Sequence, residues 1–422
     1  QSDILSFGKL RLNVAEVGSD TDPFLLDRYY ALNQLPLNGS LNGKISSRVI
    51  PPLDLKPTRT RSYEIGANMK FFKNKINFDA TYYNSDSRDQ INIVPAPISS
   101  GYPQQLINAG VISNQGIELL ISGSPLSSKS KVKWDMSVNF ARNVSKIKSL
   151  SERVGDHLTL SEARWAGLRV VARPGEQYGT LMGYDFLRDP NGNVILNATT
   201  ALPIIDPNMK VLGKGVFDWT GGFTSRVSYK NFSLNAAIDV KYGADLFSMT
   251  NLFMHSRGSA LATLEGRAEW ILSEEQRLAE KKTFAQWQAE GKVRGFVPKG
   301  VINTGTAANP VYVENTRAID PTNYWQAFAT DGSNIATPFI YKATYVKLRE
   351  LTLTYTLTPA FSKQLGLKGA SLGFVARNPF IIYKDVPNVD PDSNYNNSNG
   401  QGLEYGSLPT RRGFGFNLNV KF

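Results

Sequence analysis

GFGFNLNVKF, residues 413–422, alternates without a break: Phe414, Phe416, Leu418, Val420 and Phe422 take every second position, with Gly413, Gly415, Asn417, Asn419 and Lys421 between them. Side chains alternate across a strand with period two, so this stretch makes a strand with one apolar and one polar face. A soluble sandwich would bury the apolar face against a second sheet, and its last strand usually trails into a polar tail. An outer-membrane barrel turns that face to lipid and suits a strand that stops flush on an aromatic residue. The rest of the chain decides between the two.

The alternation recurs upstream. It predicts strands over 5–17, where Leu10, Leu12 and Val14 oppose Lys9, Arg11 and Asn13, and over 62–71, where Tyr63, Ile65, Ala67, Met69 and Phe71 oppose Glu64, Gly66, Asn68 and Lys70. Further strands are expected over 76–85, 113–123, 132–141, 217–229, 232–242, 343–357 and 370–381, that over 113–123 being weaker because Leu120 sits on its otherwise polar face. Counted back from Phe422, the connections alternate long and short: 382–411, 244–340, 145–215, 95–111 and 18–60 are long, and 358–369, 230–231, 124–131 and 72–75 are shorter. Barrels have long outer loops and trimmed periplasmic turns, whereas a Greek-key sandwich has no reason for this regularity. Phe71, Trp134, Tyr229, Phe232, Tyr355 and Phe422 fall near the short-turn end, as an interfacial girdle should. The expectation is an all-β protein, a transmembrane antiparallel β-barrel wall of about ten strands. Its loops carry a little helix, predicted over 273–289 from a capping box of Ser273 and Gln276, with Trp287 and Phe284 packed and Glu274, Glu275, Lys281 and Lys282 in water.

Composition narrows the function. The chain has 422 residues, no cysteine and only two histidines, His157 and His255, which excludes disulfides and leaves too few ligands for a transition-metal site. The net charge of +11 first points to nucleic acid, but Lys and Arg are scattered and no basic helix appears. The excess serves lipopolysaccharide or an acidic substrate equally well. No apolar run is long enough for a spanning helix. The chain opens at Gln1 without a leader, as a processed product or a fragment would.

Catalytic patterns are missing. Residues 39–45, GSLNGKI, space their glycines one short of a phosphate loop and put Ile45 where Ser or Thr would bind magnesium. Asp390, Asp392 and Asn394 match the first liganding positions of a calcium loop, but Tyr395 and Gln401 stand where Gly and Glu belong, so an Asx-rich loop is the default. No constellation supports an enzyme. Aromatic residues in the long loops remain as candidate contacts for sugar rings or peptide side chains: Trp165 and Tyr184 in one loop, Tyr324 and Trp325 in another, with Tyr178, Phe328, Tyr395 and Tyr405 nearby in sequence. Packing of one loop on another would use the same rings.

LKPTRTRSYEIGANMKFF (55–72) and NAGVISNQGIELLISG (108–123) resemble the SusC/RagA family of TonB-dependent outer-membrane transporters, and so, in the same order along the chain, do residues 5–24, 345–357, 377–380 (RNPF) and 415–422. The resemblance covers nearly the whole chain. It implies a C-terminal half, with the plug, the TonB box and the first strands of a barrel of about 22 lying outside these residues, since an open sheet edge cannot persist in lipid. It further implies import of glycan or peptide fragments across the outer membrane with TonB-derived energy and a SusD-like surface lipoprotein as lid. It also implies that the terminal strand, Phe414, Phe416, Leu418, Val420 and Phe422, acts as an outer-membrane assembly signal. A passive porin, or a SusC-like barrel serving as a structural subunit of a larger assembly, is the alternative.

Overall fold

A computed structural model describes residues 4–21, 23, 30–32, 38–45, 49–50, 52, 54–127, 129–163, 167–328, 335–396 and 398–422. Ten strands form one antiparallel sheet in strict chain order. They are β1 (Leu5–Ser19), β2 (Thr58–Phe71), β3 (Ile76–Arg88), β4 (Gly110–Gly123), β5 (Val132–Leu150), β6 (Trp219–Tyr229), β7 (Phe232–Tyr242), β8 (Tyr345–Thr356), β9 (Gly369–Lys384) and β10 (Gly413–Lys421). All ten match expected strands. Register pairs like with like: Phe374 faces Phe416 and Leu372 faces Leu418, so the apolar residues of neighbouring strands share one face. That face is open, with Leu12, Leu372, Phe416 and Leu418 all more than half exposed, as a lipid-facing surface must be.

Several strands outrun the alternation that predicts them. β5 continues nine residues past the expected end at Ala141, and at 19 residues it is far longer than a bilayer requires. A tilted strand crosses the hydrocarbon with about 9–11 residues. Beyond that height nothing requires an apolar outer face, so the periodic signal fades while the hydrogen-bonded ladder runs on. Trp219 stacks on Tyr242 at 5.6 Å and lies 5.7 Å from Phe140 on the apolar face, an aromatic group at the long-loop end opposite the one around Phe232 and Tyr355 (4.8 Å).

Three of the long connections, 145–215, 244–340 and 382–411, form one body. Asp245–Ser248 pairs with Ile340–Lys342 on one side and with Leu403–Glu404 on the other, which fastens the last loop to the preceding one. A four-stranded sheet of Leu158–Glu162, Arg169–Ala172, Thr180–Gly183 and Lys210–Lys214 adds the third loop. Leu168, Val170 and Leu181 from that loop, Phe247, Leu252, Phe328 and Phe339 from the next, and Leu403 from the last share a single apolar core. Each such side chain contributes roughly 1.5–3 kcal/mol on burial. Glu404, 1% exposed, accepts hydrogen bonds from Ser248 Oγ, Thr250 N, Thr250 Oγ1 and Ser407 N, so its buried carboxylate is fully matched.

The helical expectation needs correcting. The segment holds two helices in place of one, following α1 (Met249–Ser256): α2 (Arg267–Ala279) begins after Gly266, and α3 (Phe284–Ala289) carries the capping box on Thr283 and Gln286. Ser273, the expected cap, lies in the middle of α2 and turns inward. Its hydroxyl accepts from Trp287 Nε1 at 2.9 Å and from Arg294 N at 3.2 Å. Both Ser273–Gln276 and Thr283–Gln286 have the capping-box spacing, and the turn at Lys281, whose φ is +52°, selects the second. Trp287 is buried as expected, under Lys292 and Lys282 at 4.6 and 5.7 Å from its ring. Two further short helices, α4 (Pro321–Gln326) and α5 (Pro359–Gln364), start on Asp-Pro and Thr-Pro pairs.

Candidate functional site

The polar face of the sheet carries charges that no soluble edge would need. Asp79, Glu118, Asp239 and Lys241 border a cleft of about 600 Å³ along β3 to β7. Arg11 on β1 reaches across β2 to β3, where its Nη2 donates to Asp79 Oδ1 at 2.8 Å and to Thr81 Oγ1 at 3.0 Å. Gly66 makes this possible, because a Cβ there would lie 2.8 Å from Nη2 of that guanidinium. The glycine in the YEIG stretch is thus a slot for a cross-strand side chain. Tyr83 lies over Gly116 in the same way and donates to Asn143 Oδ1 at 3.1 Å. Gly66→Val should therefore lower stability through the lost charged hydrogen bonds, although valine is the better strand former. Thermal unfolding of the assembled protein reads this directly, and a variant that melts at or above the parent would show that the slot is unimportant.

At the outer end of β8, a bulge between Leu348 and Glu350 leaves Arg349 on the polar face beside Lys347. Three cations and three carboxylates meet there. Lys347 Nζ donates to Asp390 Oδ1 at 2.5 Å and Asp392 Oδ2 at 2.8 Å. Arg349 bridges Asp392 and Asp239 at 2.5 and 2.6 Å. Lys241 reaches Asp392 at 3.2 Å, and the Tyr345 hydroxyl donates to Asp392 at 2.6 Å. Burial works to raise the Asp392 carboxyl, but Lys347, Tyr345 and Arg349 hold it well below the usual carboxylate range; burial opposes Lys347 and Thr410 at Asp390 with the same result. Asp390 and Asp392, which sequence spacing offers as calcium ligands, thus face Lys347 and Arg349, while Asn394 turns its amide to the Asp392 carbonyl at 3.4 Å. Among the described residues no group of three or more acidic or histidine side chains gathers as a metal site.

The aromatic candidates divide. Trp165 lies outside the described residues. Tyr184 is half-buried and joins the body through its backbone, its carbonyl accepting from Ala336 N at 3.3 Å. Tyr324 and Trp325 sit together on α4, capped by Asp320. Tyr324 packs 4.7 Å from Phe296 and 5.4 Å from Phe328, and burial pushes its phenol up to about 12. Trp325 lies 4.7 Å from His255 and 5.0 Å from Tyr324. These rings pack within the connection 244–340, and Trp325 also borders a cavity. Tyr178 bonds Asn399 at 2.8 Å, and Tyr395 meets Tyr405 edge-on at 5.9 Å. Arg11, Asp79, Lys347 and Arg349 escaped the sequence reading. Their signal was present, since charges at alternate positions of a strand whose other face meets lipid must serve the interior.

Comparison with known proteins places this architecture. The family model described as TonB dependent receptor-like, beta-barrel matches residues 18–251. TonB-dependent receptor P3 of Formosa agariphila is 25% identical over 87% of this chain, and TonB-dependent receptor SusC of Bacteroides thetaiotaomicron is 25% identical over 56% of it. The chain spans 34% and 25% of those two relatives. Among solved structures, the RagAB peptide importer in its closed-closed state superposes over the whole chain with a TM-score of 0.68 at 16% identity, covering 42% of its own length.

Proposed function

Because this chain belongs to the TonB dependent receptor-like β-barrel family, we propose that it forms the C-terminal wall and outer-loop body of an outer-membrane importer of the SusC type. It is an outer-membrane protein that crosses with strands, and among the described residues no helix is long and apolar enough to cross. The ten-stranded sheet leaves β1 and β10 as open edges among the described residues. Since unpaired edges are not tolerated in lipid, the flanking strands of a barrel of about 22 come from another part of the same polypeptide, together with the plug and the segment that contacts TonB. A native polypeptide no longer than these 422 residues would overturn that.

One observation carries the transport reading: a charged polar face leads up to a single cored body built by three of the long loops, 145–215, 244–340 and 382–411. A wall of this kind is a path, and a body with its own core is a fixed surface for cargo and lid. The cargo is a glycan or peptide fragment, and the lid a SusD-like lipoprotein seated on the loop side; the net charge of +11 suits the lipopolysaccharide around it. The test is uptake of labelled oligosaccharides and peptides by cells lacking the gene and by cells complemented with it. Uptake should require both the gene and the energised TonB system. Uptake that persists without TonB would make the protein a passive porin. No defect on any nutrient, with co-purification of other envelope machinery, would make it a structural subunit.

Trp165, Tyr184, Tyr324 and Trp325, all in the long connections of the sequence, are the proposed cargo contacts. Replacing any one by Ala should cost on the order of 1 kcal/mol in affinity where the ring touches cargo. Tyr324 differs from the others, because its packing on Phe296 and Phe328 makes a loss of thermal stability the expected first effect. Titration of the purified importer and its lid separates the cases: four variants that bind like the parent and only express less would reduce all four rings to packing.

A further inference from the structure

The start of α2, the end of α1 and the start of α4 enclose a cavity of about 370 Å³ lined by Arg257, Arg267, His255, Thr322, Trp325 and Gln326. That volume falls in the range of small-ligand sites. Some arginines of the loop body are paired, Arg277 with Glu274, Arg188 with Asp185 and Arg169 with Glu162, while others, such as Arg294 and Arg317, donate only to carbonyl or amide oxygens. Among the described residues neither Arg257 nor Arg267 has an ion-pair partner. Arg267 is nonetheless fixed: its Nη2 donates to Gly258 O at 3.0 Å and Thr263 Oγ1 at 2.7 Å, which aims the guanidinium and leaves Nε and Nη1 uncommitted. Trp325 Nε1 is also without an acceptor, a buried unmatched donor in the wall of the same cavity.

We propose that this cavity binds the anionic group of an acidic sugar in the imported fragment, a uronate carboxylate or a sulfate ester. Two guanidinium groups without carboxylate partners match either group by charge-assisted hydrogen bonds. The rest of the lining decides for a sugar over an acidic peptide. Thr322 and Gln326 offer exchangeable donors and acceptors for ring hydroxyls, and Trp325 borders the cavity, whereas no Leu, Ile or Val lines it to receive a peptide side chain. The site rests on the importer reading and narrows its cargo.

The experiment is calorimetric titration of the full-length protein with a disaccharide ending in glucuronate, the same disaccharide ending in glucose, and its sulfate ester. An acidic probe should bind at least about tenfold tighter than the neutral one, consistent with hydrogen bonds to charged groups, and the advantage should shrink with salt. Arg257→Gln, at an exposed side chain with no bond to lose, should remove most of that advantage while leaving neutral-probe affinity and melting temperature unchanged. Arg257→Gln with Arg267→Gln should remove all of it. Preference for carboxylate or for sulfate identifies the source, and either supports the site. Equal binding of acidic and neutral probes, full retention of the advantage in Arg257→Gln, or an aspartyl-aspartate dipeptide binding as tightly as the uronate would overturn it. Probe binding without TonB-dependent uptake would instead count against import and leave the site standing.

Discussion

Deleting residues 414–422 is expected to leave no assembled protein in the outer membrane. β10 pairs with β9 along its whole length, from Gly413 opposite Arg377 to Lys421 opposite Gly369. Its removal would turn the paired edge of β9 toward lipid, where each unmatched backbone group costs several kcal/mol. Over such a ladder the sum reaches tens of kcal/mol, well beyond the roughly 5–15 kcal/mol that holds a folded domain together. The lipid face would suffer as well, because Phe374 stacks on Phe414 at 6.2 Å and lies 5.6 Å from Phe416. Surface levels of the deletion variant equal to the parent would refute the role of the strand. Phe422→Ala separates the ladder from recognition by assembly machinery, since Phe422 lies beyond the last pair and is 85% exposed. If its ring is read during assembly, that variant should insert slowly and then melt like the parent.

The wall was legible because lipid imposes a strict pattern. Phe414, Phe416 and Leu418 have no choice of face, and ten strands with alternating connections leave one architecture. The loop body was not legible, for the opposite reason. Its strands are two to five residues long and pair across great sequence distances, as Phe247 does with Leu403, so no local period marks them. Aromatic content pointed to Tyr324 and Trp325, and the structure brings them together on α4 as members of a packed ring cluster. Ser273 misled because its spacing to Gln276 matches that of the true capping box, Thr283 and Gln286, later in the same segment. Asp390 and Asp392, whose spacing along one loop looks like a ligand set, are met by Lys347, 43 residues earlier, a partner that no local spacing could show.

That lysine carries the second large effect. Lys347→Met is expected to destabilise the outer-loop body by about 3–5 kcal/mol, the usual result of removing one partner from a buried ion pair. Lys347 is 2% exposed and Asp390 8%, so water cannot replace the lost charge. Asp392 would keep Arg349 and Lys241, but Asp390 would keep only Thr410 and the amide of Asp392. Residues 385–412 should then leave the mouth of the wall, and hydrogen exchange there should accelerate ahead of exchange in β8 and β9. Adding Asp390→Asn should restore part of the loss, because a neutral amide does not need the ammonium. Acid should imitate Lys347→Met in the parent. Both carboxyls are held below their usual range in the folded protein, so their contribution is present above the unfolded carboxylate pKa, about 3.9. It is lost as pH falls through the folded values. Loop protection should accordingly be flat through neutral pH and collapse only in strong acid, whereas in Lys347→Met the collapse should begin at higher pH. A variant with parental melting and unchanged exchange over 385–412 would show that the loop is held without its ion pairs.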